Sequence, residues 1–191
     1  MIIRKATEAD LDAIEKIYDD IHTAEERGEV TIGWDRAIYP VRKTAEAALK
    51  RGDLFVLEDS KIPGEGRISE TGEPLEESDI LGTGIINNVQ VDSYEKASWE
   101  YDVPDEKVCV LHTMVISPAV GRRGYGKKFV KYYEDYAKTN GFPELRLDTN
   151  ARNKRAREMY KKLGYKEVGI VPTVFNGIEG VDLVLLEKYL G

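Results

Sequence analysis

A run of glycines and basic residues, Gly121-Arg-Arg-Gly-Tyr-Gly-Lys-Lys128, directly follows the apolar stretch 108–116. Glycine lets a backbone turn tightly and approach a ligand closely, and the N–H groups in the first turn of a helix carry partial positive charge. Although the whole chain has a formal net charge of -7, four basic side chains lie in this short segment: Arg122, Arg123, Lys127 and Lys128. The pattern predicts a strand, a phosphate-binding turn and a helix, in that order.

One interpretation of this turn is a P-loop. Gly121 and Gly126 stand five residues apart and Lys127 follows, as that motif requires. However, Lys128 occupies the position where a hydroxyl must bind magnesium, and Asp148 is only an incomplete match for the acidic magnesium partner at a strand end. A nucleotide-hydrolysing protein stays open as an alternative.

A second interpretation uses two separated motifs. Gly124 and Gly126 match the end of the pattern arginine or glutamine, two residues, glycine, one residue, glycine or alanine, with Gly121 in the leading position. Pro118 precedes this pattern by three residues. Further along, five residues match a second pattern at the expected spacing: Asn153, Ala156, Tyr160, Gly164 and Tyr165. In these motifs and their order, residues 108 to 166 resemble the GNAT superfamily of N-acetyltransferases.

This resemblance implies an α/β (α+β) fold with a mixed, mostly antiparallel central sheet flanked by helices. It also implies acetyl-CoA as cosubstrate and direct transfer of the acetyl group, in a ternary complex, to a primary amine that belongs to a small molecule or to a peptide. The pantetheine arm would pair with the main chain of Met114, Val115 and Ile116. The pyrophosphate would bind at the turn formed by Arg122, Arg123, Gly124, Tyr125, Gly126 and Lys127.

The resemblance further implies that Asn153 hydrogen-bonds the cofactor arm and that the hydroxyl of Tyr160 points at the sulfur. Seven residues separate the two side chains, which is two helical turns, so they share one helix face. Without the resemblance, Asn153 could simply cap a helix and Tyr160 could be a core residue. The basic residues of the turn could likewise be solvated.

Amine acetylation benefits from a base. An amine with a pKa near 10.4 is protonated at neutral pH, and deprotonating it costs about 4–5 kcal/mol. His112 lies on the expected cofactor strand, at a place where the arylalkylamine acetyltransferases have a histidine linked to proton removal, and is the candidate base; a buried structural histidine is the alternative. Glu100 and Asp102 are further candidates. Aromatic residues expected to wall the acceptor pocket are Trp34, Tyr39 and Tyr94 or Trp99.

Composition limits the remaining functions. The 191 residues suit a single domain, 1–191, with insertions at about 59–79 and 92–106; the Gly- and Pro-containing first insertion is predicted to be a long mobile loop. The acidic net charge argues against nucleic acid, and no apolar run is long enough to span a membrane. We therefore expect a cytoplasmic protein, with a homodimer possible. With two histidines and one cysteine, Cys109, expected to be buried and inert, we expect no metal site.

Hydrophobic periodicity predicts the order of the elements. Helices are expected from Leu11, over about 42–50, from Gly124 to near Asn140, and over 153–163. Strands are expected at 2–5, 53–58, 80–91, 107–116, 144–148, 165–171 and 181–186. An acyl-CoA-binding module without turnover, and a structural or interaction domain, remain rival interpretations of such a chain.

Overall fold

A computed structural model of the protein describes residues 1–59 and 80–191. The predicted loop at 59–79 therefore lies outside the described residues, apart from Asp59. The helices are α1 (Leu11–Glu26), α2 (Arg42–Arg51), α3 (Tyr125–Thr139) and α4 (Lys154–Lys162). The strands are β1 (Ile2–Lys5), β2 (Leu54–Glu58), β3 (Ile80–Asn87), β4 (Val108–Ile116), β5 (Glu144–Asn150), β6 (Lys166–Phe175) and β7 (Ile178–Tyr189).

The strands form one seven-stranded sheet in the order β1-β2-β3-β4-β5-β7-β6. The β4–β5 pair is parallel, and the other described neighbours are antiparallel. The helix α3 connects the two parallel strands, as a crossover between parallel strands requires. The predicted mixed, mostly antiparallel sheet flanked by helices is confirmed.

Alternation along the strands assigns the helices to opposite faces of the sheet. In β2, Leu54 and Val56 pack with the apolar sides of α1 and α2, whereas Phe55 and Leu57 pack with α3. Side chains that differ by one position in a strand point to opposite faces, so a strand buried on both sides is continuously apolar. Because both faces of the sheet are covered, α3 and α4 lie together on one side of β4 and β5.

The segment 92–106 covers the remaining part of the α1–α2 face, over β4, β7 and β6. It contains short 3-10 turns at 92–96 and 105–107. Tyr94 is buried and contacts Trp99 edge to face, with ring centroids 5.3 Å apart. The predicted insertion therefore contributes aromatic side chains to a hydrophobic cluster against these strands.

Three strands have boundaries that differ from the prediction. The strand β3 ends at Asn87, because the Asn87 side chain accepts a hydrogen bond from the amide of Val89 at 2.9 Å and turns the chain. The strands β6 and β7 extend to a two-residue hairpin turn at Asn176 and Gly177, which have φ values of 49° and 87°. Asn-Gly suits such a turn because both residues tolerate positive φ.

Candidate active site

The strands β4 and β5 separate at their carboxyl ends. Their pairing runs from Val108–Glu144 to Leu111–Leu147; beyond it, the described β4 residues pair with β3 and the described β5 residues pair with β7. Thr113, with a φ of 49°, marks a bulge in β4 at the point where the register with β3 shifts. The gap leaves one edge of β4, around Met114 to Ile116, open for pairing with a ligand.

A cavity of about 440 Å³ lies at this gap. Its lining combines side chains from α4, such as Asn153 and Tyr160, with side chains from the α1–α2 side of the sheet, such as Trp34 and Tyr39. Because the separated strands leave the sheet open, two ligands arriving from opposite faces can meet inside it. The predicted residues that the structure brings together here are His112, Met114, Asn153 and Tyr160.

The glycine-rich turn lies outside the cavity, at the N-terminus of α3. Gly124 is the residue before the helix and has a φ of 81°; a side chain added there would meet no atom within 4 Å. In the part of the chain that the structure describes, the amides from Gly124 to Lys127 donate to no other group. Arg122 is exposed and also adopts a positive φ, of 64°. Open amides, a helix N-terminus and exposed basic side chains together suit an anion.

Gly126 is required for a different reason. A Cβ atom at this position would lie 3.2 Å from the sulfur of Met159 on α4. The Met114 and Ile116 side chains of β4 are the next nearest, each at 3.9 Å. The missing side chain therefore lets the start of α3 pack closely against α4 and β4, whereas Gly124 serves the backbone conformation of the turn.

The helix α4 presents Asn153 and Tyr160 to the cavity. Asn153 is the N-cap: its Oδ1 accepts the amide hydrogen of Ala156 at 3.1 Å, which leaves its NH2 group for a ligand. Tyr160 is 5% exposed, and its hydroxyl bonds to no described residue but lies on the cavity wall. Burial, and secondarily the charge of Asp148, raise the pKa of Tyr160. The hydroxyl is therefore protonated at neutral pH.

His112 lies on β4 with its imidazole held by two acceptors. Its Nε2 is 2.9 Å from the carbonyl oxygen of Val89 and 3.1 Å from Oδ1 of Asn87. Since both partners accept, Nε2 carries the hydrogen and Nδ1 carries the lone pair. Burial lowers the pKa of His112 to about 4. The ring is therefore neutral at physiological pH and has low affinity for a proton.

Asp148 on β5 also lines the cavity, and the sequence analysis did not place it there. The hydroxyl of Tyr94 donates to its Oδ2 at 2.9 Å, and no described residue donates to its other oxygen. Burial raises the pKa of Asp148 to about 6. The signal in the sequence was the alternation Glu144-Leu-Arg-Leu-Asp148, which aligns three charged side chains on one face of a strand.

Aromatic rings form the wall of the cavity on the α1–α2 side. Tyr39 contacts Trp34 and Phe175 edge to face, with centroids 5.8 and 5.5 Å away, and its hydroxyl is hydrogen-bonded to that of Thr113. Phe175 was not predicted. The other two predicted aromatic residues contact charged side chains of β5. Tyr94 is hydrogen-bonded to Asp148, and Trp99 packs over the guanidinium of Arg146 at 4.1 Å.

Three other sequence-based candidates lie away from the cavity lining. Glu100 is exposed and forms an ion pair with Lys166, and Asp102 is exposed as well. Cys109 is fully buried in the core, and burial raises its pKa to about 12, so it is an inert thiol as predicted.

Neither a metal cluster nor a membrane helix is found in the residues described. Within 1–59 and 80–191, no group of three or more His, Cys, Asp or Glu side chains could hold a metal ion. In the same ranges, no helix is both long and apolar enough to cross a membrane.

Comparison with known proteins finds relatives that are named as N-acetyltransferases. The chain is 30% identical over 74 residues to an uncharacterized N-acetyltransferase of Methanocaldococcus jannaschii, which is 39% of this chain and 33% of that protein. It is 31% identical over 62 residues to the uncharacterized N-acetyltransferase YhfO of Bacillus subtilis, which is 32% of this chain and 42% of that protein. The chain thus spans about a third to two-fifths of the length of these relatives.

Solved structures share the fold over nearly the whole chain. A GNAT-family acetyltransferase of Streptococcus agalactiae superposes with a TM-score of 0.73 at 19% identity, covering 98% of this chain and 94% of that one. YncA of Salmonella typhimurium, solved with its cofactor acetyl-CoA, superposes with a TM-score of 0.63 at 17% identity, covering 100% and 94%.

The sequence also matches a family model over a long segment. The model describes the acetyltransferase (GNAT) family and matches residues 31–165, which contain both motifs, the separated strands and the lining residues His112, Asp148 and Tyr160. This chain belongs to the GNAT family of acetyltransferases.

Proposed function

We propose that the protein transfers an acetyl group from acetyl-CoA to a primary amine by direct attack in a ternary complex. The observation that carries this proposal is the separation of β4 from β5 beside the N-terminus of α3. It provides open amides for a diphosphate, an unpaired strand edge for an amide-containing arm, and a cavity between two faces of a sheet for two ligands.

The residues present fit acetyl-CoA. The amides from Gly124 to Lys127 would hold the diphosphate, with the exposed Arg122 beside them. The main chain from Met114 to Ile116 would pair with the pantetheine arm, and the NH2 group of Asn153 would hydrogen-bond the same arm. Acetyl-CoA would supply the acetyl group as a thioester, whose sulfur leaves when the amine attacks.

Tyr160 is the proposed proton donor to the departing sulfur. Its hydroxyl is protonated, lies on the cavity wall and is free of protein acceptors in the described structure. Because a tyrosine holds its proton more tightly than a thiol does, full transfer is uphill, by about 2 kcal/mol for unperturbed groups. Tyr160 would therefore act through a hydrogen bond that completes proton transfer late. A backbone N–H near Met114 or Val115 would bind the carbonyl oxygen.

Two side chains in the cavity could accept the proton of the amine. His112 is neutral and offers Nδ1, as the sequence-based hypothesis requires, but a pKa of about 4 makes it a weak base. Asp148, with a pKa of about 6, holds a proton more readily. A pH profile of the variant His112→Ala tests the first assignment: a base role requires the loss of one limb of the profile.

The function itself is tested by thiol release. We expect acetyl-CoA, but not ATP with magnesium, to raise the melting temperature, and an amine panel to release free thiol. Stabilisation by acetyl-CoA without thiol release from any amine would favour a binding module, and stabilisation by ATP with magnesium alone would favour a nucleotide-binding protein.

The variant Tyr160→Phe tests the proposed donor. We expect kcat to fall about 10- to 100-fold, because general acid catalysis contributes rate enhancements of this order or larger. The KM for acetyl-CoA should change less than about 2-fold, since the hydroxyl acts on the reacting sulfur. Tyr132→Phe removes a hydroxyl from the partly buried Tyr132 on α3 and is the matched control. An unchanged kcat in Tyr160→Phe would eliminate the donor role.

A further inference from the structure

Asp148 stands where three elements meet at the inner end of the cavity. Tyr94, from the segment 92–106, fixes one carboxylate oxygen with a hydrogen bond of 2.9 Å. The charge of Asp148 acts on the hydroxyl of Tyr160 from α4 and on that of Tyr39 from the loop before α2. The carboxylate therefore lines the cavity together with the proposed proton donor and Tyr39, and its second oxygen accepts from no described residue.

The cationic side chain that lines the same cavity does not neutralise Asp148. Arg51 donates from Nε and Nη2 to the two oxygens of Asp53, at 2.8 and 3.1 Å. Asn87 donates to the same carboxylate at 2.8 Å. His112 is neutral, as its two acceptor contacts and burial require. Within the described lining, Asp148 is thus the carboxylate whose charge no protein cation balances at contact distance.

A partly buried carboxylate with an oxygen that no described residue bonds is stabilised by a partner that donates hydrogen bonds and carries positive charge. We propose that Asp148 binds the ammonium group of the acceptor and removes its proton, so that the acceptors are compact primary amines without a carboxylate next to the amine. This inference rests on the proposed acetyl transfer and assigns its acceptor class and its base.

The proton and bond changes balance as follows. The acceptor enters as an ammonium ion and gives one proton to Asp148. The nitrogen lone pair then forms the C–N bond with the acetyl carbon of an acyl thioester, while the C–S bond breaks and its electron pair goes to sulfur. Tyr160 protonates the sulfur and is restored by the second proton that the nitrogen loses. Asp148 finally releases its proton to solvent.

The aromatic wall of the cavity determines which groups the acceptor can carry beside its amine. Trp34, Tyr39 and Phe175 offer apolar surface to a carbon chain or ring, and aromatic faces also attract cations. An α-carboxylate on the acceptor would lie close to Asp148 whenever the ammonium is bound there. Two carboxylates at such a distance repel each other strongly in a buried site. Amino acids should therefore react more slowly than the amines that lack this carboxylate.

The groups that face Asp148 decide what pH dependence to expect. They are the hydroxyls of Tyr94, Tyr39 and Tyr160, with pKa values raised above the ordinary value, together with neutral His112 on β4. The guanidinium of Arg146 lies two positions earlier on the same face of β5 and is engaged by Glu144 and Gln90. The three hydroxyls and the imidazole keep their charge between pH 5 and 8. A limb of the rate profile near pH 6 would therefore belong to Asp148.

The decisive experiment compares Asp148→Asn with wild type by thiol release from pH 5 to 10. Wild-type kcat/KM for the amine should fall below about pH 6 and also above the pKa of the amine, because binding requires a carboxylate and an ammonium ion. Asp148→Asn should lose about 10²- to 10³-fold in kcat/KM at pH 7. Its profile should lack the limb near pH 6, and its loss of rate relative to wild type should shrink as the pH approaches 10, where a growing fraction of the amine is already neutral.

Asp182→Asn is the matched control, because Asp182 is an exposed aspartate on the neighbouring strand β7. We expect wild-type rates and an unaltered profile. Thermal shift with acetyl-CoA should be the same for both variants and wild type. Melting curves show whether Asp148→Asn is folded; if it is not, the wild-type pH profile and acceptor preference still decide the question.

Acceptor preference is measured with matched pairs that differ only in an α-carboxylate: phenethylamine against phenylalanine, and isoamylamine against leucine. Wild type should prefer the first member of each pair by at least about tenfold in kcat/KM, and Asp148→Asn should narrow that preference. Equal rates within both pairs, or a variant that keeps the wild-type rate and the limb near pH 6, would overturn the inference while leaving acetyl transfer intact. Absence of thiol release from wild type with every amine would instead defeat the proposed function, and this inference with it.

Discussion

The strand β5 carries a buried carboxylate at one end of a face and a partly buried carboxylate at the other end, in different surroundings. At the first end, Glu144 is fully buried and accepts a hydrogen bond from Nε of Arg146 at 2.6 Å, and Glu187 of β7 lies opposite Arg146 in the sheet. At the other end, Asp148 lines the cavity and has a tyrosine hydroxyl as its donor, and its second oxygen accepts from no described residue. Burial raises the pKa of all three carboxyl groups.

The comparison teaches that burial and a raised pKa do not identify a functional carboxylate by themselves. The first end is closed by protein: Gln90 accepts from Arg146 at 2.6 Å, Trp99 stacks on the guanidinium, and the amide of Glu100 donates to Glu187. The second end has room for a ligand beside the charge. Access for a cationic partner, rather than the shift in pKa, distinguishes the two.

The largest expected change is a loss of stability when Arg146, at the end of β5 that other protein groups cover, is replaced. Replacing Arg146 by Met should lower the free energy of unfolding by about 3–5 kcal/mol, because it leaves buried carboxylates without their cation. Urea denaturation monitored by circular dichroism measures this change. Arg42→Met is the control: Arg42 pairs with three acidic residues at the surface, and such pairs contribute about 1 kcal/mol or less. A loss below 1 kcal/mol for Arg146→Met would contradict a structural role.

A smaller change in the free energy of unfolding, and of opposite sign, is expected at Asp148, at the end of β5 that borders the cavity. The folded pKa of Asp148, about 6, exceeds the ordinary aspartate value of 3.8, so its contribution to stability is full below about pH 4 and declines as pH rises through about 6. Asp148→Asn removes this penalty and should stabilise the protein at pH 8 by about 1–3 kcal/mol. The gain should vanish near pH 4.

Glu144→Gln is the counterpart at the closed end. Burial raises the pKa of Glu144 as well, but the ion pair with Arg146 opposes that effect. Glu144→Gln should therefore stabilise the protein at pH 8 by less than Asp148→Asn does. Urea denaturation at pH 4, 6 and 8 measures both variants, and a larger gain for Glu144→Gln would contradict the distinction between a closed structural cluster and an open ligand site.

The smallest expected effect sharpens the role of Tyr94. Its hydrogen bond lowers the pKa of Asp148, against the stronger effect of burial. Tyr94→Phe should therefore raise that pKa, and the acidic limb of kcat/KM should move to higher pH by a fraction of a unit to about one unit. A role in packing alone would lower the rate and leave the limb at the same pH. Trp99→Phe, which keeps an aromatic ring over Arg146, is the control.

The sequence predicted local features well. The helix starting at Leu11, the helix over about 42–50 and the glycine turn before α3 lie where the residues indicated. These features depend on interactions within a few residues. The helix cap, one of the two roles that the sequence left open for Asn153, is observed.

The acceptor side was only partly predictable. His112, Trp34 and Tyr39 were candidates, but Asp148 and Phe175 were not, because their importance depends on neighbours distant in sequence. Tyr94 reaches Asp148 across 54 positions, and Tyr39 meets Thr113 across 74. Alternation along β5 shows that Asp148 and Arg146 share a face of the strand. It does not show which of the two side chains is covered by the segment 92–106.

The sequence by itself determined the order of the elements, the glycine turn before α3 and the family, because backbone conformation and helix termini follow from local residue types. Only the tertiary structure decided which charged side chain of β5 lines the cavity. The parallel pairing of β4 with β5 stops at Leu111 and Leu147, and the segment 92–106 covers one end of β5 while the other end opens to the cavity. Such closure depends on packing among distant segments, which no short pattern of residues contains.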